Sequence, residues 1–204
     1  MKKAVLLLLL VSCAYDPNGL RYVVDGDTFV LNNGEVVRLL GIDTPEMGDA
    51  NYDRASYELQ RLLQGRNLSF EPDVTDRDIY GRLLRYIYAE DVFVNLRLVE
   101  DGWARATYYP PDLRYVELFR KAQKEAQDAS KGIWNVDETQ YKRFGARCVE
   151  FGCPKGAIAV ASDEGDVFYG CYCSSVNKIK KENLRCFTKI QTAIELGLRE
   201  TRLC

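Results

Sequence analysis

The cysteines of this chain sit at its two ends, and that distribution constrains the fold more than any other single feature. Cys13 stands alone near the start, while Cys148, Cys153, Cys171, Cys173, Cys186 and Cys204 all fall within residues 148–204. Residues 14–147 contain none. The long middle segment must therefore stand on an apolar core of its own. The tail is too short to bury much core, and modules of that size need staples. Six cysteines in an exported chain point to disulfides, with fifteen possible connectivities. The boundary between the two parts falls near residue 147.

Composition narrows the chemistry. The chain has 204 residues, 47% hydrophobic and 28% charged, which is the balance of an ordinary globular protein. The net charge of −2 gives no global field to draw in a polyanion, so any nucleic acid must be held by a local basic patch. There is no histidine. Histidine bases, Ser-His triads and His-ligated zinc are thereby excluded. What remains is carboxylates, arginines, tyrosines, cysteines and hard metal ions.

The first residues read as a targeting segment rather than part of the fold. Lys2 and Lys3 precede the apolar run AVLLLLLV, which is too short to span a bilayer comfortably. The following LVSC resembles the lipobox of bacterial lipoproteins. That resemblance implies a signal peptide over 1–12, a lipidated Cys13 and a tether over 13–19. The protein is then expected to be exported and lipid-anchored to the cell membrane or outer membrane of a bacterium.

Beyond the tether the periodicity alternates. RYVVDGDTFVLNNGEVVRLLGI carries β-branched and aromatic runs broken by Asn32-Asn33-Gly34, a hairpin signal. Ala55, Leu59, Leu62 and Leu63 fall on one helical face that stops at Gly65. NLSFEPDV and GRLLRYIYAE return to strand character, and VFVNLRLVEDG reads as a short helix. The longest helix is expected over DLRYVELFRKAQKEAQDASKG, with a stripe of Leu113, Val116, Phe119, Ala122 and Ala126. Antiparallel strands with interspersed helices suggest a small barrel. The polar stretch 135–147 reads as a linker.

The chemistry concentrates in VDGDT and RLLGIDTPE. Asp27 and Asp43 each sit at the edge of a strand-forming run, with Asp25 beside the first. Converging carboxylates repel, so either a pKa rises or a cation sits between them. With oxygen donors only, a hard ion such as calcium or magnesium is selected. Arg38 and Arg82 present planar forks that can pair two phosphate oxygens at once. Glu46 is placed to orient or deprotonate an attacking water. Tyr80 and Tyr108 offer hydroxyls or flat faces to a nucleotide.

The runs VVDGDTFVL, RLLGIDTPE, DRDIYGRLLRYIYA, VNLRLVEDGWAR and KGIW together resemble the staphylococcal (micrococcal) nuclease family in order and spacing, over about Leu20 to Trp134. The resemblance implies an OB-fold five-stranded β-barrel with three helices over 20–134. It implies a calcium-dependent endonuclease that hydrolyses DNA and RNA and leaves 3′-phosphate ends. Asp27 and Asp43 would ligate one calcium ion, with the Thr44 backbone carbonyl. Glu46 would handle water, Arg38 and Arg82 would grip the phosphate, and Tyr80 and Tyr108 would lie near the nucleotide. The chain departs from the family in a shorter loop after Glu46, MGDANYDRAS, without its lysines. Ile79 stands where a lysine is common, and Pro110 where a second tyrosine is common.

Residues 148–204 form a cysteine-rich α+β module. GAIAVASDEGDVFYGCYC and the following segment resemble the small zinc-binding domain of Ada-type DNA-repair proteins. The matching ligand positions are Tyr169, Cys173, Thr201 and Cys204, only two of them able to bind zinc, which argues against zinc. The former ligand positions suggest Cys173–Cys204 as a disulfide that replaces the metal, and Cys148–Cys153 and Cys171–Cys186 then follow by elimination. Thr188 and Gln191 form a capping-box pattern opening a short helix. The substrates are expected to be nucleic acids, the chain a monomer, and no protein partner is inferable. The competing reading is a catalytically silent OB-fold nucleic-acid-binding module or structural surface lipoprotein; the retained acids and arginines argue against it.

Overall fold

The computed structural model describes residues 16–135 and 138–201. The leader over 1–12, the lipidated Cys13 and the Cys204 half of the Cys173–Cys204 pair therefore lie outside the described residues.

β1 (Leu20–Val23), β2 (Thr28–Leu31) and β3 (Val36–Leu39) run as an antiparallel meander. The Asn32-Asn33-Gly34 turn closes as its sequence predicts. The Gly34 N–H donates to the Leu31 carbonyl at 2.9 Å and Gly34 takes a φ of 92°. β6 (Leu83–Ala89) joins β3 in parallel, and β5 (Leu68–Glu71) joins β6 in the opposite sense. The order is β1-β2-β3-β6-β5, with β7 (Val92–Phe93) also paired to β6. A separate pair links β4 (Ile42–Asp43) with β8 (Arg105–Ala106).

The three expected helices cover this sheet: α1 (Tyr52–Leu63), α2 (Val94–Glu100) and α3 (Val116–Asp128). Ala55, Leu59, Leu62 and Leu63 are all buried, as their spacing requires. Phe119 and Ala122 of α3 meet Phe29, Val37, Ile42, Tyr86 and Leu98 in one core. Leu113 does not join the stripe; it is 45% exposed and precedes the helix. The cause is tertiary, because Asp112 is tied to the Thr75 N–H through Oδ1 at 2.8 Å and delays the first helical turn.

The tail corrects three expectations. The stretch 135–147 is not a linker, because α4 (Glu138–Glu150) occupies most of it. Its Tyr141 and Cys148 are buried, and Gly145 lets the helix approach the Ala157 carbonyl closely. α4 packs on a sheet of order β11-β9-β10-β12, made by β9 (Ala159–Ser162), β10 (Val167–Gly170), β11 (Leu184–Phe187) and β12 (Arg199–Glu200). α5 (Ile190–Glu195) follows β11. The Thr188–Gln191 capping box does not form; Lys189 is the cap residue, and Glu138 of α4 accepts the Ile190 N–H at 3.0 Å.

The third correction concerns the disulfides. Cys148 pairs with Cys171 and Cys153 with Cys186, not Cys148 with Cys153 or Cys171 with Cys186. Cys148 lies in α4 and Cys153 in the turn after it, so each bridge carries that segment to a different part of the sheet layer. Cys171 follows β10, whereas Cys186 lies in β11. Cys173 is also disulfide-bonded. One apolar cluster joins Ala126, Ile133 and Trp134 to Tyr141, Phe168 and Ile190, so the two parts of the chain share a core.

Candidate active site

The bend between β1 and β2 delivers Asp27 to the edge of the barrel. The Asp27 N–H is held by Asp25 Oδ1 at 3.1 Å, and the Leu39 N–H donates to the Asp27 carbonyl at 2.8 Å. Gly26 is required for close approach: a Cβ there would lie 2.6 Å from Thr44 Oγ1 and 2.8 Å from Ala55 Cβ. On the other side, Gly41 turns β3 into β4 at a φ of 74°, where a Cβ would strike the Phe119 ring at 2.6 Å. These two glycines let separate segments of the sequence meet.

They meet around Arg38. Register pairs Thr28 with Arg38, which sets Asp27 beside the guanidinium. Arg38 Nη1 lies 2.8 Å from Asp27 Oδ1, and Nη2 lies 3.0 Å from Asp43 Oδ1. Nη1 also donates to the carbonyls of Leu39 at 3.2 Å and Ile42 at 3.1 Å. The other Asp27 oxygen accepts the Thr44 N–H at 2.9 Å and the Thr44 hydroxyl at 3.0 Å. Asp27 is only 5% exposed. Burial, reinforced by the neighbouring Asp25 and Asp43 and opposed by Arg38, pushes its carboxyl up to about 7. Glu46 stands at the mouth of the site, and its carboxyl is raised by partial desolvation and then by Asp43 and Asp25.

An open groove of about 550 Å³ runs from this corner. Arg38, Arg82, Tyr80, Ile79, Tyr109 and Pro110 are among its walls. Arg82 is set by Asp78, which accepts its Nε–H at 2.6 Å and its backbone N–H at 3.0 Å. Asp78 also accepts the Tyr80 N–H at 2.9 Å. Burial raises the Asp78 carboxyl, but the Arg82 and Tyr80 bonds outweigh it and hold it below the usual range. Tyr80 is 78% exposed, with the Arg82 guanidinium 5.5 Å over its ring.

Asp27, Arg38, Asp43 and Thr44 are thus directly bonded, Glu46 is electrostatically coupled to them, and Arg82 and Tyr80 share the groove with Arg38. Tyr108 is set apart. It lies under the Arg120 guanidinium at 5.3 Å, and its neighbour Tyr109 lines the groove instead. Sequence reasoning missed Asp78 as the residue that aims Arg82; an Asp two residues before Tyr-Gly in a turn was the available signal. It also gave no role to Asp25, although VDGDT contains it. Among the described residues no three Asp, Glu, Cys or His side chains converge as a closed metal cage. The donors that do gather are all oxygens, and their mutual repulsion is what a hard cation relieves, so the set fits a hard ion of the calcium or magnesium kind.

An OB-type barrel that sets coupled acids beside arginines at the end of an open groove defines a class of phosphate-handling site. Comparison with known proteins narrows the class. The staphylococcal nuclease homologue family matches residues 36–136. Thermonuclease of Staphylococcus intermedius is 38% identical over 121 residues, covering 55% of this chain and 72% of that protein. Thermonuclease of Staphylococcus hyicus is 35% identical over 122 residues with the same coverage. Endonuclease YncB of Bacillus subtilis (strain 168) is 37% identical over 123 residues, 55% of this chain and 58% of that protein. The chain belongs to the staphylococcal nuclease family. The family match begins at β3, so Asp27 lies ahead of it and owes its place in the site to the bonds described above.

Proposed function

We propose that this nuclease hydrolyses phosphodiester bonds of DNA and RNA, uses one calcium ion and leaves 3′-phosphate ends. The observation that carries the reading is the single guanidinium of Arg38 bonded to Asp27 and Asp43, beside Glu46 and in one groove with Arg82. Asp27, Asp43 and the Thr44 carbonyl would hold the ion. When bound, calcium supplies positive charge close to the phosphoryl group. Glu46 accepts a proton from the attacking water, and its raised carboxyl makes it a better base than an ordinary carboxylate. Arg82 donates to the phosphoryl oxygens as charge builds on them, and Arg38 joins it from the acid corner. Tyr80 steers the substrate along the groove.

The assay is digestion of single-stranded DNA and RNA in calcium and in chelator, with the product ends analysed. Cleavage that survives chelation, or products with 5′-phosphates, would sink the mechanism.

The nuclease acts outside the cytoplasm, anchored by lipid on Cys13. The reading is supported by the Lys2-Lys3 start, the apolar run and LVSC, and by the five described cysteines all being disulfide-bonded, as an oxidising compartment favours. Cys13→Ser is expected to move the protein from the membrane fraction to the soluble fraction. Unchanged fractionation would overturn the anchor.

A further inference from the structure

The loop after Glu46 is held by the C-terminal module. Asp49 Oδ2 accepts the Glu46 N–H at 3.2 Å and the Arg199 Nη1–H at 2.9 Å, so one carboxylate joins β12 to the Glu46 backbone. The Asp49 N–H returns to the Glu46 carbonyl at 2.8 Å and closes the turn. Asp49 also forms an antiparallel bridge with Thr201, just past β12. A second contact lies alongside. Arg105, opposite Asp43 in the β4–β8 pair, donates to the carbonyls of Gly197 at 3.2 Å and Leu198 at 3.3 Å. Its guanidinium stacks 5.1 Å over Trp134. Pro45, Asp49, Arg105, Arg199 and Glu200 line the small crevice at this junction.

The turn itself has little else to hold it. Glu46 and Met47 are exposed, and Gly48 takes a φ of 93°. The loop is short and belongs to no strand or helix before Tyr52. Arg199, by contrast, is anchored within the module through Asp166, and its strand pairs with β10 in parallel. The disulfides tie the same layer together.

We propose that the C-terminal module is an intramolecular brace for the active-site loop, with Arg199, acting through Asp49, as a positioning residue for Glu46. This rests on the reading of Glu46 as the residue that handles water. A carboxylate displaced by about an ångström loses much of its effect on a positioned nucleophile. Such displacement acts on the chemical step and leaves the groove that binds substrate in place.

Steady-state digestion by the full chain in calcium tests the brace. Arg199→Ala and Asp49→Ala are each expected to lower kcat roughly tenfold with KM nearly unchanged. The double variant is expected to be no worse than the poorer single, because both cut one link. Arg199→Lys restores part of the loss, and Asp166→Asn, which loosens the anchor of Arg199 but leaves its bond to Asp49, costs less than either alanine variant. Amide hydrogen exchange at Met47–Asn51 in calcium-free buffer is expected to quicken in Arg199→Ala. If that variant fails to fold, Asp49→Ala carries the test, since it leaves Arg199 on Asp166. Wild-type kcat and exchange in both alanine variants would overturn the brace, as would an equal loss in Asp166→Asn. Full turnover by Glu46→Gln would instead overturn the reading of Glu46.

Discussion

Arg38 and Arg82 carry the same charge in the same groove, yet their surroundings differ. Arg38 is engaged by two acids and two carbonyls through Nη1 and Nη2, whereas the one side-chain hydrogen bond of Arg82 among the described residues runs from Nε to Asp78. Arg82 therefore has the freer end for a substrate phosphate. Arg82→Ala is expected to lower kcat by roughly 10²–10³-fold, the usual loss for a donor to developing charge. Steady-state kinetics with the melting temperature as a control would check it, and a change confined to KM would reduce Arg82 to a binding residue. Asp78 acts one step back. Asp78→Ala releases the Arg82 and Tyr80 backbone N–H groups together with Arg82 Nε. A fall in kcat/KM of about tenfold is expected from the misaimed arginine. Arg38, Asp43, Glu46 and Arg82 were legible as candidate site residues because charged types recur in a fixed order. Asp78 was not, since an Asp before a turn has the same sequence whether it aims a side chain or only caps its own backbone.

Among the elements, α2 does more than cover the sheet. Its Asn95 is fully buried, accepts the Ile87 N–H at 2.9 Å and donates to the Leu40 carbonyl at 2.9 Å. It thereby ties β6 to the turn that delivers Asp43. Asn95→Ala is expected to destabilise the fold by about 2–3 kcal/mol, because backbone groups are left buried without partners. Urea denaturation measures this, and a loss under ~0.5 kcal/mol would mean water replaces the amide. α4 is coupled to α5 by Glu138, whose carboxyl is held below its ordinary 4.5 by Lys142, against an opposing desolvation, with help from the Ile190 N–H. Below that value the unfolded chain takes up the proton first, so stability from this group is present at neutral pH and lost as pH falls through the folded pKa. Glu138→Gln is expected to be less stable than wild type by roughly 0.5 kcal/mol at pH 7, and the difference is expected to shrink as pH falls through the folded pKa. A constant difference across that range would remove the electrostatic cause. α1 was legible because four aliphatic side chains mark its face. α4 was hidden, because its inner face is Tyr141, Gly145 and Cys148, residues that do not announce a helix.

The whole chain behaves as two parts around a continuous apolar contact. Ile133 and Trp134 close the barrel domain and enter the core of the module. Stability of one part is therefore linked to the other. Reduction of Cys148–Cys171 and Cys153–Cys186 is expected to lower the melting temperature, each bridge contributing about 2–4 kcal/mol. Calcium is expected to raise the melting temperature, adding about 2.7 kcal/mol of stability at a hundredfold excess over Kd, and chelator to reverse the rise. Calorimetry of the oxidised protein with and without calcium checks the second effect. No change with calcium would mean that the acid corner holds no ion.

Local patterns in the chain were enough for the three helices of the barrel domain, most of its strands and the hairpin at Asn33-Gly34, because each depends on neighbours a few residues apart. The closure of the barrel and the grouping of acids with arginines were legible only through the resemblance to a known family, because they join segments far apart. The disulfide pairing, the helix in the supposed linker, the late start of α3 and the contact of Arg199 with Asp49 depend on segments far apart in sequence. Cys153 reaches Cys186 only because α4 lies across the sheet, and Arg199 meets Asp49 only because the two parts share a core. Nothing in either segment encodes its partner. Packing chose these contacts, and with them the hold on Glu46.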